Sequence, residues 1–248
     1  MRILLINPNT SQFVTDTAAA EARKVSAPKT AIEAVTGTIG PPIIGCRSEA
    51  AIGAYAALEL AATHGRDADA IVLAVSFDCG LPAIRQAFSM PVVGMTEAAA
   101  HTACMVGGRF ALLTFGDRVA PLYEELIDSY GLTSRFVGVH CIPALTPAQL
   151  RDPSLVQDRI VDAAHTLAKQ GADSVILGGA VFAGLPNRLD KETPIPLIDG
   201  LAAAVRMAET LVDLRITKQT TGSYQLPGAK SLQGVGDDLR ALFDGFDN

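Results

Sequence analysis

The chain has no run of lysine or arginine. Its 20 basic side chains are scattered among 26 acidic ones, for a net charge of −6. Attraction to phosphate backbones or anionic lipid is therefore not expected, and neither a nucleic acid nor a membrane is an expected partner. No apolar stretch reaches the ~20 residues that span a bilayer. Arg2 is followed by only four apolar residues, Ile3 to Ile6, before Asn7, which is too short for a secretory signal; a cytoplasmic location is expected. Cysteine is scarce: Cys46, Cys79, Cys104 and Cys141 are widely spaced and form no CxxC pair. That spacing argues against a disulfide framework and against structural zinc. His140–Cys141 is the one His/Cys neighbour pair, and adjacent strand residues point to opposite faces. Neither a metal nor an organic cofactor is expected.

What is present is the composition of a folded chain, with 49% hydrophobic and 19% charged residues over 248 positions. That length allows one or two domains. Short β-type runs alternate with Ala-rich helical segments. Strands are expected at Arg2–Ile6, Ala31–Val35, Ala70–Val75, Pro91–Met95, Phe110–Thr114, Arg135–Val139, Ser174–Leu177 and Pro196–Ile198. Helices are expected from residue 12 to 25, capped by Thr10 or Ser11, and over Cys46–His64, Leu81–Phe88, Glu97–Met105, Ala120–Tyr130, Ser154–Gln170 and Leu201–Leu214. Continuous apolar strands between helices indicate parallel sheets covered on both faces, hence an α/β fold. From Thr217 onward the chain turns loop-like, with one short helix expected over Leu239–Phe246.

An internal repeat is the strongest signal. Ala68-Asp69-Ala70-Ile71-Val72-Leu73 leads to Gly80-Leu81-Pro82 and then Pro91-Val92-Val93. Ala172-Asp173-Ser174-Val175-Ile176-Leu177 leads to Gly184-Leu185-Pro186 and then Pro196-Leu197-Ile198. Arg2–Asn7 likewise parallels Arg109–Thr114. Matches in the same order at nearly the same offset imply duplication. The expected architecture is two pseudo-symmetric half-domains, each with a mainly parallel sheet flanked by helices. The first lobe would comprise residues 1–98 with 200–215, the second 99–199, followed by a tail over 216–248. Ligands of open α/β sheets bind beyond the carboxyl ends of the strands. Asn7–Thr10, Val75–Gly80, Thr114–Gly116 and Gly178–Ala183 should then converge on one cleft for a small-molecule substrate.

The start Ile6-Asn7-Pro8-Asn9-Thr10-Ser11 and the segments Pro91-Val92-Val93-Gly94-Met95-Thr96-Glu97-Ala98-Ala99, Val175-Ile176-Leu177-Gly178-Gly179-Ala180 and Pro196-Leu197-Ile198-Asp199-Gly200 resemble the Asp/Glu/hydantoin racemase superfamily, in its hydantoin and allantoin racemase branch. The resemblance runs from the first strand to about Leu214. It implies a cofactor-independent, two-lobed enzyme in which one cysteine from each lobe flanks the substrate carbon. One thiolate removes the proton α to a carbonyl and the other thiol returns a proton to the opposite face. Matching Gly80-Leu81 and Arg85 to the family places the first of these cysteines at Val75. Matching the Val-Ile-Leu-Gly strand places the second at Gly179. The two positions are equivalent in the repeat, and neither residue moves a proton.

Cys79 lies in the first strand-end loop, before a helix start, and is the expected acid/base or nucleophile, with Ser76 beside it as donor. Asp78 is either an orienting group or a solvated loop carboxylate. Asn7, Asn9, Thr10, Val75, Thr114, Phe115, Gly116, Gly179 and Ala180 are the expected substrate contacts. Glu97 and His101, four apart, share a helix face, and Asp199 is expected to hold cleft loops together. Cys46, Cys104 and Cys141 are expected to be packing residues. The leading reading is a racemase-type isomerase acting on a small cyclic amide or amino-acid derivative. Two alternatives stand beside it: a single-cysteine decarboxylase or hydrolase of the same fold, and a non-catalytic binding protein. The Ala-rich helices also lead to the expectation of a homo-oligomer.

Overall fold

In a computed structural model, residues 1–216 and 221–244 are described. The expected strand runs form two four-stranded sheets. The first contains β1 (Arg2–Asn7), β2 (Ala31–Thr36), β3 (Ala70–Leu73) and β4 (Val92–Gly94) in the order β2-β1-β3-β4. The second contains β5 (Phe110–Phe115), β6 (Phe136–Ile142), β7 (Ser174–Leu177) and β8 (Leu197–Asp199) in the order β6-β5-β7-β8. Every pairing is parallel. The apolar runs Ile3–Ile6 and Ile71–Leu73 belong to central strands and are fully buried, because helices cover both faces of a parallel sheet.

The two sheets share one strand order, as duplication requires, and their pairing agrees in detail. Ile3 pairs with Ala70 as Phe110 pairs with Ser174, and Ile71 pairs with Val92 as Val175 pairs with Leu197. The repeated Ala-Asp explains itself here. Asp69 Oδ2 accepts the Arg2 N–H at 2.7 Å, and Asp173 Oδ2 accepts the Arg109 N–H at 2.8 Å. Each carboxylate ties the start of a central strand to the turn before its neighbour. The repeat is thus conserved wiring between the halves, set by backbone donors that would otherwise lack partners.

Helices α1 (Gln12–Val25), α2 (Arg47–His64) and α3 (Leu81–Ala87) belong to the first half, and α4 (Met95–Val106) follows β4. In the second half come α5 (Ala120–Ser129), α6 (Pro147–Arg151), α7 (Gln157–Lys169) and α8 (Pro186–Leu189), and then α9 (Gly200–Asp213) after β8. The helices after β4 and β8 cross over: α4 packs on β7 and β8, α9 packs on β3 and β4, and the two pack on each other. This exchange joins the halves along their pseudo-twofold.

Some boundaries differ from expectation. The helix expected from Ser154 begins as a 3₁₀ turn over Pro153–Val156, because Val156 (φ −127°) leaves helical geometry before α7 starts. The tail helix, α10, spans Asp237–Asp244 rather than starting at Leu239. Phe246, its expected end, lies outside the described residues, as do Thr217 and Gln219. α10 lies against α2: Gly236 N–H donates to Glu59, and Leu239 is 2% exposed.

Candidate active site

The strand ends do converge. A cleft of about 610 Å³, counted out to its open mouth, lies between the two lobes. Asn9, Val75 and Ser76 line it from the first lobe, and Thr114, Phe115, Gly179 and Ala180 from the second. Ile43 and Ile44, from the loop before α2, add apolar surface at one side. Among the described residues lining the cleft none is charged, so a ligand there meets hydroxyls, an amide, backbone groups and hydrocarbon.

Each polar group is held by a nameable contact. The Asn9 side-chain oxygen accepts from Ser11 N at 2.9 Å and from Asn7 Nδ2 at 2.9 Å. These two bonds fix which way the amide faces and leave its NH₂ as a donor for the cleft. Ser76 Oγ and the Tyr123 hydroxyl lie 2.6 Å apart, and both residues are buried. Burial pushes the Tyr123 phenol up to about 12, against the lowering effect of the Ser76 and Thr114 hydroxyls. Thr114 Oγ1 donates to Gly178 O at 2.8 Å, joining β5 to the loop after β7. Tyr123 was not a candidate in the sequence. It sits inside a helix whose aromatic residue reads as core, and its partner is 47 positions away.

Four expected contacts do not line the cleft. Asn7 is fully buried and spends its amide on Asn9, Ser11 O and Thr15, so it shapes the turn that presents Asn9. Thr10 joins the loop before α2 through its backbone N–H to Pro41 O at 3.1 Å. Gly116, at φ 79°, turns the chain towards α5 and donates to Ile142 O.

Cys79 is the fourth. It is 6% exposed and packs with Leu4, Ile6 and Ile44 in the core under α2. Asp78 (φ 47°) and Gly80 (φ 81°) both adopt left-handed backbone on either side of it, which turns its side chain away from the cleft. Burial, and then the Asp78 carboxylate, push the thiol up to about 12. A thiol so held is protonated and shielded, the opposite of a reactive cysteine. With iodoacetamide, exposed Cys46 is expected to react first and Cys79 last, read by peptide mass mapping. Cys79→Ser should cost about 1–3 kcal/mol by placing a hydroxyl in apolar surroundings, measured by urea unfolding.

Two carboxylates organise the loops from outside the cleft. Asp78 is 3% exposed rather than solvated. Asp199 Oδ2 accepts from Gly184 N, and its Oδ1 accepts from Leu201 N at 2.9 Å and Ala202 N at 3.1 Å. It therefore ties the loop after β7 to the N-terminus of α9, as expected. Glu97 pairs with Arg85 (Nη1 to Oε1, 3.0 Å), while His101 is exposed.

Comparison with known proteins agrees with this geometry. The model of the family described as Asp/Glu/Hydantoin racemase matches residues 3–208. The chain belongs to that family. It is 33% identical to a hydantoin racemase of Paenarthrobacter aurescens over 233 residues, covering 93% of this chain and 99% of the relative. An allantoin racemase from Klebsiella pneumoniae superposes with a TM-score of 0.91 at 35% identity, covering 97% of this chain and 99% of that one. An allantoin racemase from Pseudomonas fluorescens gives 0.89 at 31% identity, covering 94% and 100%. Within this racemase family, the positions that the sequence resemblance gives to paired cysteines hold Val75 and Gly179 here, and both line the cleft.

Proposed function

We propose that this chain is a cofactor-independent, racemase-type enzyme for a small cyclic amide or amino-acid derivative, moving a proton α to a carbonyl with a hydroxyl pair on one face and water on the other, in place of the two thiols that the family resemblance implies. The observation that carries this reading is the Ser76–Tyr123 pair, 2.6 Å apart and facing the cleft beside Val75. In this reading the Asn9 NH₂ donates to the substrate carbonyl and stabilises the enolate that forms. Tyr123, as the phenolate, takes the Ser76 proton while Ser76 Oγ takes the α-proton. On the opposite face Gly179 presents no side chain, so solvent water returns the proton there. Return from the Ser76 face gives exchange with retention, and return from the Gly179 face gives inversion.

Only the phenolate is a base, and burial keeps its fraction small below about pH 12. The rate is therefore expected to rise about tenfold per pH unit from 7 to 10. The experiment follows substituted hydantoins and allantoin in deuterated water by proton NMR and polarimetry. Exchange of the α-hydrogen faster than loss of optical rotation, without net consumption, is the expected result. Ligand-induced thermal stabilisation without any exchange would instead favour a binding protein that kept the cleft and lost the chemistry, the reading that Val75 and Gly179 on their own support.

A further inference from the structure

The segment Ser76-Phe77-Asp78 reaches from the first lobe onto the second. Ser76 Oγ meets Tyr123 at 2.6 Å, and Asp78 Oδ2 accepts the Tyr130 hydroxyl at 2.6 Å. Tyr123 lies in α5 and Tyr130 caps its C-terminal end, seven positions on. Seven residues are two helical turns, so both hydroxyls lie on one face. Between them the Phe77 ring lies against Tyr123, centroids 4.5 Å apart. The same carboxylate accepts Thr96 N at 3.2 Å and Glu97 N at 2.8 Å at the start of α4, and Thr96 Oγ1 donates to Ser76 O at 2.6 Å. One buried carboxylate thus holds the backbone of Ser76 through α4 and the lobe contact through α5.

We propose that Asp78 is a positioning residue: its contacts with α4 and Tyr130 hold the 76–78 loop, and with it Ser76, against the second lobe, and ionisation of its carboxyl loosens that hold. The charged and titratable groups around it are Glu97 of α4, Arg85 of α3, Tyr123 and Tyr130 on the α5 side, and Cys79 of its own loop. Burial outweighs the three donors and pushes the carboxyl from its usual 3.8 up to about 7. In an opened loop the carboxyl meets water and ionises near its ordinary value. The closed loop is therefore most favoured below pH 4, and the advantage is lost as the pH rises to about 7, above which opening no longer changes.

The consequence for turnover rests on the cleft being the reacting site proposed above, whereas hydrogen exchange reads the loop itself and needs no substrate. Amide exchange is measured by mass spectrometry on peptides covering residues 74–80 and 94–99, from pH 5.5 to 8.5, corrected for the intrinsic rate. In the wild type, protection should fall roughly tenfold per pH unit up to about 7 and then level off. Asp78→Asn should give a flat profile. Tyr130→Phe keeps the helix cap but removes one donor that favours the charged form, so its levelling point should move to higher pH. A purely structural role would lower protection in these variants without moving the pH at which it changes. A flat wild-type profile, a transition that persists in Asp78→Asn, or an unmoved transition in Tyr130→Phe would each overturn the proposal. If exchange behaves as expected and no substrate turns over, the loop device stands and the functional reading fails.

Discussion

Val75→Cys combined with Gly179→Cys is expected to raise α-proton exchange and racemisation by about 10²–10⁴-fold, the usual worth of a well-placed acid/base group. Both positions line the cleft, from opposite lobes, so the double variant places one thiol on each face of a bound substrate. Among the described residues, neither site has a charged neighbour in the cleft lining. The substitutions differ in cost. Val75 is 6% exposed and a cysteine there removes little volume. Gly179 has φ 138°, and a Cβ there would sit 3.3 Å from the Phe115 ring. About 1–3 kcal/mol of strain is expected from that backbone alone, visible as a lower Tm. The single variants supply one face each, so they should accelerate deuterium exchange more than loss of optical rotation. A folded double variant no faster than wild type would mean that the cleft does not hold a substrate carbon between these positions.

The fold could be read from the sequence because its determinants are local and repeated. Apolar runs of four to six residues are what a strand buried on both faces requires. The two copies of Ala-Asp before such runs mark the carboxylates that hold Arg2 and Arg109. The pattern of a helix after β4 or β8 is the same whichever sheet it covers, so the lobe bounds 1–98 with 200–215 and 99–199 rest on the repeat and not on the helices themselves.

The site was legible in part, and the boundary has a physical cause. Asn9, Ser76, Thr114 and Gly179 reach the cleft because they sit at or just beyond strand ends, whose position the sheet dictates. Cys79 was expected there on the same argument and went to the core. Its direction depends on the left-handed backbone at Asp78 and Gly80; glycine signals such a turn, but an aspartate at φ 47° does not. Tyr123 and Tyr130 carry no local signal of their role, because their partners are 47 and 52 positions away. The one available hint was their spacing of two helical turns, opposite two polar residues spaced two apart in the loop.

Tyr123→Phe is expected to lower α-proton exchange by about 10²–10⁴-fold while leaving the fold in place. The phenyl ring keeps its place against Phe77 and in the cluster with Phe110 and Ile127. The loss in stability should therefore be about 1 kcal/mol, for a hydroxyl pair broken with one member left in a site open to the cleft. The disproportion between rate and stability separates a reacting group from a packing residue. So does pH: the alkaline rise belongs to the Tyr123 phenolate, and the phenylalanine variant should show a rate nearly independent of pH between 7 and 10. Ser76→Ala removes the other hydroxyl and should reduce exchange by a similar factor. The combined variant should be little slower than either alone, because the two act as one relay and their effects do not add. The measurement is the initial rate of deuterium incorporation by NMR for all four proteins at matched pH. Independent, additive losses, or an alkaline rise that survives in Tyr123→Phe, would exclude the relay and require a different base, one that titrates in the alkaline range.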